Sequence, residues 1–182
     1  MDVLIPVLGI IVIGGFVIYY FNRIIVLENR IKNAWSQIDV QLKKRADLVP
    51  NLVETVKGYM KHERSVFENI AKARKEMLKA TTQEQKIKAG NMLADALKTI
   101  FAIAENYPKL RASENFLMLQ EELSGIENKI AYARQFYNDS VLEYNNLIKT
   151  IPGVWFAKLM GKKEKQYIEI KEVERKPVKV KF

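Results

Sequence analysis

Eighteen consecutive residues near the N-terminus, LIPVLGIIVIGGFVIYYF from Leu4 to Phe21, carry no charge. As a helix rising about 1.5 Å per residue, the run spans roughly 27 Å, close to the ~30 Å hydrocarbon core of a bilayer. A cleavable signal peptide needs a basic n-region and a small-residue cleavage site. Here only Asp2 precedes the run, and Tyr19, Tyr20 and Phe21 close it with rings suited to a membrane interface. The segment predicts an uncleaved transmembrane helix. All 30 lysines and arginines follow it, beginning with Arg23, Arg30 and Lys32. The positive-inside rule then predicts a single-pass protein of the cell (inner) membrane, with its N-terminus outside and its folded part cytoplasmic.

The remaining length suits one domain, so the chain divides into an anchor (1–26), a helical bundle (27–161) and a basic tail (162–182). Of the +9 formal charge, Lys158 to Phe182 hold nine basic and four acidic groups, a net of +5. Such a tail predicts attraction to anionic lipid or an acidic partner. It does not predict nucleic-acid binding, because the basic residues are not interleaved with a stacking platform. With no cysteine there is no disulfide framework and no thiolate nucleophile.

Two rows of residues seven apart run from Ile31: Ile31, Ile38, Arg45, Leu52, Tyr59, Val66, Ala73, and Trp35, Leu42, Val49, Val56, Glu63, Ile70, Met77. This is a coiled-coil-like seam, and its phase does not slip across Pro50. The register predicts one long helix to about Ala80, kinked at Pro50, with the Ala46 carbonyl losing its intrahelical donor. A true break at Pro50, capped by Asp47, is the alternative. Thr81 or Thr82, followed by Glu84 or Gln85, predicts the cap of a second helix with Ile87, Leu93, Leu97, Ile100 and Ala104 on one face, ended by Pro108. Ser113 caps a third, to about Thr150, with rows Phe116, Leu123, Ile130, Tyr137, Tyr144 and Leu119, Ile126, Ala133, Ser140, Leu147. Short loops make these an all-α antiparallel bundle: three long helices and a short fourth, or a four-helix up-and-down bundle if the first helix breaks.

With an unbroken first helix, the second descends about 36 Å and covers the first only to about residue 56. Ile31, Trp35, Ile38, Leu42 and Val49 would then line an uncovered seam, which predicts a homo-oligomer. Arg45 and Glu63 interrupt the apolar rows and need partners if buried. With Glu127, Arg134, Tyr137 and Asn138 they outline a polar groove, and Tyr137-Asn138 is repeated at Tyr144-Asn145. The groove has two readings: tyrosines packed in the bundle with hydrogen-bonded hydroxyls and Arg134 meeting a carboxylate, or a site for a peptide or ligand. Val154 to Met160 reads as an amphipathic foot, with Trp155, Phe156, Leu159 and Met160 clustered before GKKEK, that packs on the bundle or lies on membrane lipid. The only histidine, His62, starts His-Glu-x-x-His but Val66 fills the last position, so it reads as a helix-surface residue. No phosphate loop, nucleophile–base pattern or metal-ligand cluster is present, so no cofactor and no catalysis are expected.

NAWSQIDVQLKKRADLVPNLVETVKGYMKHE (Asn33 to Glu63) and ENYPKLRASENFLMLQEELSGIENKIAYARQFYNDSVLEYNNLIKTIPG (Glu105 to Gly153) closely resemble the LemA family of bacterial and archaeal membrane proteins. The resemblance covers nearly the whole chain. It implies one N-terminal transmembrane helix, a helical bundle and no established enzymatic activity. It also implies a candidate partner, because family members are often encoded beside an HtpX-type membrane metalloprotease, and a magnetosome relative is linked to membrane invagination. Ile151 and Lys181 depart from the residues that many members carry. The expected function is a non-enzymatic, membrane-anchored scaffold that self-associates and docks a membrane partner. A membrane-shaping or lipid-binding protein is the alternative, and an enzyme with an unrecognised site comes third.

Overall fold

Pro50 does not stop the first helix. The computed structural model describes residues 4–169, and in it α1 runs unbroken from Leu4 to Lys57 with Pro50 inside. A proline at this place has no N–H for the carbonyl four residues back, and Arg74 supplies the missing donor: its Nε lies 2.9 Å from the Ala46 oxygen. Arg74→Ala should leave that buried carbonyl unpaired and cost about 1–3 kcal/mol, read as a lowered unfolding midpoint of the full chain in detergent.

The helix does end before Ala80, however, and at neither of the expected places. Residues 58–63 form a turn in which Tyr59 and Met60 both donate to the Val56 carbonyl, and Met60 is fully buried. Gly58 weakens the helix where Met60 can turn inward to the core. The chain returns as α2 (Arg64–Lys79), whose buried face is Val66, Ile70, Ala73 and Met77. The seven-residue rows cross the turn because α2's own stripe happens to begin seven residues after Tyr59. His62 therefore stands exposed in a turn and not on a helix.

Next come α3 (Gln83–Ala104), the single turn α4 (Pro108–Arg111), α5 (Glu114–Lys149) and α6 (Gly153–Leu159), and there is no strand among the described residues. Thr82 and Gln85 form the expected reciprocal capping box at the start of α3. Pro108 opens α4 as well as closing the approach from α3.

These helices make two compact units, Ser36–Ala133 and the remainder. Within Ser36–Ala133, α1, α2, α3 and α5 form an up-and-down set. Lys86 pairs with Asp39 at 2.6 Å, and Gly90 lies so close to α1 that a Cβ there would be 2.8 Å from Leu42 Cδ2. Phe101 of α3 meets Phe116 of α5 edge to face.

The seam expected to be uncovered is covered by the chain itself. Ile38, Leu42 and Val49 are at most 2% exposed and Ile31 is buried, while Trp35 is half-buried with its ring against Tyr137. The expectation failed because it let the first helix run to Ala80. Stopping at Lys57 allows α2 to double back and α3 to start beside Asp39. Apart from Ile25, Val26 and Val40, the exposed large apolar side chains of α1 lie in residues 5–21, at the N-terminal end of the one described helix long and apolar enough to cross a membrane.

Candidate functional site

Among the described residues, the unit made of the chain up to Trp35 and from Arg134 onward holds the most extended side-chain-to-backbone hydrogen-bond ladder. Its frame is the start of α1 and the end of α5. Ile24 and Leu27 are buried, Glu143 takes both Arg23 and Arg30, and the Arg30 guanidinium lies 5.1 Å from the Phe136 ring centre.

After α5 the chain turns tightly through Ile151-Pro152 into α6, whose Gly153 and Ala157 are buried. Phe156 stacks on Tyr20 with ring centres 5.4 Å apart and planes 7° from parallel, and Phe16 meets it edge-on. Of the four residues expected to form a foot, Phe156 and Met160 are half-buried, whereas Trp155 and Leu159 are 61% and 82% exposed. The exposed pair thus flanks a ring anchored on the apolar segment of α1.

α6 ends in a Schellman motif. Gly161, at φ +61°, donates to the Lys158 carbonyl and Lys162 to that of Ala157. This directs residues 162–169 along α5 as an extended strap. Asn145 donates to the Lys165 carbonyl and accepts from its N–H, both at 2.9 Å, and Asn138 does the same with Ile168. Two residues before each rung a tyrosine adds a bond: the Tyr144 hydroxyl donates to the Lys163 carbonyl at 3.3 Å and Tyr137 to that of Gln166 at 3.4 Å. Burial raises both tyrosine pKa values above the ordinary range, so both hydroxyls stay protonated donors at neutral pH. Glu28 of α1 closes the other side, paired with Lys162 and, at 3.4 Å, with Lys165.

The hydrogen bond from Lys162, reinforced by both lysine charges, holds the Glu28 carboxyl below its ordinary value of 4.5 against the opposing effect of burial. A depressed folded-state pKa contributes stability that is present above the unfolded value and lost as pH falls through the folded one. Acidification through and below the ordinary carboxylate range should therefore loosen the strap, seen as falling protection factors for the Lys165 and Ile168 amides. In Glu28→Gln that change with pH should vanish.

The residues expected to share one polar groove occupy three places. Arg45, 1% exposed, pairs with Glu127 and donates to the Gly90 carbonyl beside a cleft of about 240 Å³ between α3 and α5. Glu63, the last residue of the turn, accepts a hydrogen bond from the Tyr107 hydroxyl at 3.3 Å. Arg134 is buried, and Tyr137 and Asn138 belong to the strap's ladder. Sequence reasoning missed Glu28, noted Tyr144-Asn145 only as a repeat of Tyr137-Asn138, and read 162–169 only as an exposed, charged tail. The signal was present: asparagine is a poor helix-interior residue, and two of them seven apart, each after a tyrosine, ask for main-chain partners. The departure at Lys181 lies outside the described residues.

A model of the LemA family matches residues 34–182, which takes in the strap and all of both extended motifs except Asn33. The chain belongs to the LemA family. Magnetosome protein MamQ of Magnetospirillum gryphiswaldense is similar at 23% identity, over 96% of this chain and 74% of that one. Magnetosome protein MamQ 2 of Paramagnetospirillum magneticum is 22% identical over the same shares. Neither the family nor these relatives carry an enzyme's name, and the apolar N-terminal helix accords with a membrane-associated member of the family.

Proposed function

We propose that this LemA-family chain is a non-enzymatic scaffold anchored in the inner membrane by residues 4–21, with its folded part cytoplasmic and seated on the bilayer by α6. The observation that carries the reading is the Phe156–Tyr20 stack, which ties α6 to the anchor helix while Ile151, Trp155 and Leu159 remain exposed beside it. Exposed apolar side chains at the end of a membrane helix, followed by Lys158, Lys162 and Lys163, suit the boundary between acyl chains and headgroups. The scaffold docks a membrane partner, and an HtpX-type metalloprotease is the candidate that the family resemblance supplies.

Tryptophan depth tests the seating. The chain has two tryptophans, so Trp35→Phe leaves Trp155 as the only emitter. In liposomes of lipids brominated high on the acyl chain, Trp155 emission should be blue-shifted and strongly quenched. Water-like emission without quenching would remove the foot from the membrane, and this reading with it.

A further inference from the structure

The ladder on α5 grips the strap by its backbone. Each asparagine presents a donor and an acceptor to the C=O and N–H of one residue, as a neighbouring β-strand does, and each tyrosine adds a donor to another carbonyl. Seven helical residues advance about 10.5 Å and three extended residues about 10 Å. A Tyr-Asn pair repeated every seven positions therefore meets an extended chain at every third residue, whatever its side chains.

The guest adds little apolar anchoring, since no residue from Gly161 to Glu169 is buried. Side-chain choice comes from Glu28, which takes Lys162 and Lys165, again three apart. Backbone capture with a charge requirement and no buried anchor describes a peptide-docking groove whose occupant can leave while the helices stay folded.

We propose that Tyr137, Asn138, Tyr144, Asn145 and Glu28 form a docking groove for an extended Lys-x-x-Lys segment of a second polypeptide, and that residues 162–168 are a resident occupant which such a partner displaces. This deepens the scaffold reading by giving the chemistry of what is docked, and it rests on that reading only for there being a partner. The partner segment is basic, extended and free of proline at the two rungs that donate to Asn138 and Asn145. Exchange swaps one set of backbone hydrogen bonds for an equivalent set.

The test uses the full-length chain in zwitterionic nanodiscs and a labelled peptide, GKKEKQYIE, read by fluorescence anisotropy. The resident strap has an effective concentration on the order of millimolar or above, so the peptide should compete poorly with the natural chain. In a Lys162→Ala/Lys165→Ala chain the resident loses Glu28, and the peptide should bind at least about tenfold more tightly. N-methylation of the peptide at the residues matching Lys165 and Ile168 should abolish binding, as should Asn138→Ala/Asn145→Ala in that chain, with unchanged helical circular dichroism. Equal affinity for the natural and double-lysine-variant chains, binding that survives N-methylation, or no binding to the variant at about 10 mM peptide would each overturn the proposal. Trp155 quenching reads the seating of α6 and anisotropy reads peptide binding, so failure here is distinguishable from failure of the seating.

Discussion

Alanine in place of Gly153 should unseat α6 and cost about 3 kcal/mol, whereas alanine in place of Gly125 should cost nothing. A Cβ on Gly153 would lie 2.0 Å from the carbonyl oxygen of Leu147 and 3.1 Å from its carbon, both backbone atoms that no rotamer change can move. The turn between α5 and α6 must open for the methyl to fit. At Gly125 nothing lies within 4 Å, and alanine's better helix propensity favours the variant by up to about 1 kcal/mol. Because the strap starts at the Schellman cap of α6, Gly153→Ala should also lower the protection of the Lys165 and Ile168 amides by an order of magnitude or more. Thermal melts together with hydrogen exchange separate the two effects. A Gly153→Ala chain with unchanged exchange at both amides would show that α6 and the strap are not mechanically linked.

What could be read without coordinates is what side-chain character encodes. The uncharged run 4–21, the Thr82–Gln85 capping box, the apolar face of α3 from Leu93 to Ala104, and the long rows of α5 all sit where their chemistry says. The turn at 58–63 was hidden because helical periodicity records phase and not continuity: two helices whose stripes are separated by a multiple of seven look like one. The strap was hidden for another reason. Its binding groups are backbone N–H and C=O, which every residue but proline carries alike, so composition marks only the receiving side, Tyr137-Asn138 and Tyr144-Asn145. Arg45 was recognisable as a charge in an apolar row and Glu127 as a member of a polar row on α5, but that the two pair with each other could be told only once α5 was known to pass beside α1.

That pair sets the second large expectation. Arg45 is buried and Glu127 is 39% exposed, so the cost of breaking the pair depends on which partner is removed. Arg45→Ala removes the guanidinium from Glu127 and from the Gly90 carbonyl and leaves a void against the existing cleft, about 3–4 kcal/mol in all. Arg45→Met keeps the packing of the aliphatic stem and lets Glu127 turn to water, so its cost should fall to about 1–2 kcal/mol, mostly from the lost hydrogen bond to the Gly90 carbonyl. Glu127→Ala leaves the buried positive charge in place without its carboxylate and should exceed Arg45→Met although it deletes the more exposed residue. For a chain of this size, about 3 kcal/mol corresponds to a drop of roughly 6–12 °C in melting temperature, well within reach of a melt in mild detergent. The ordering carries the argument. If Arg45→Met melts no higher than Arg45→Ala, the stem does not contribute packing. If Glu127→Ala melts with the natural chain, the carboxylate is not what compensates the buried guanidinium, and Arg45 is held by α3 through Gly90 instead.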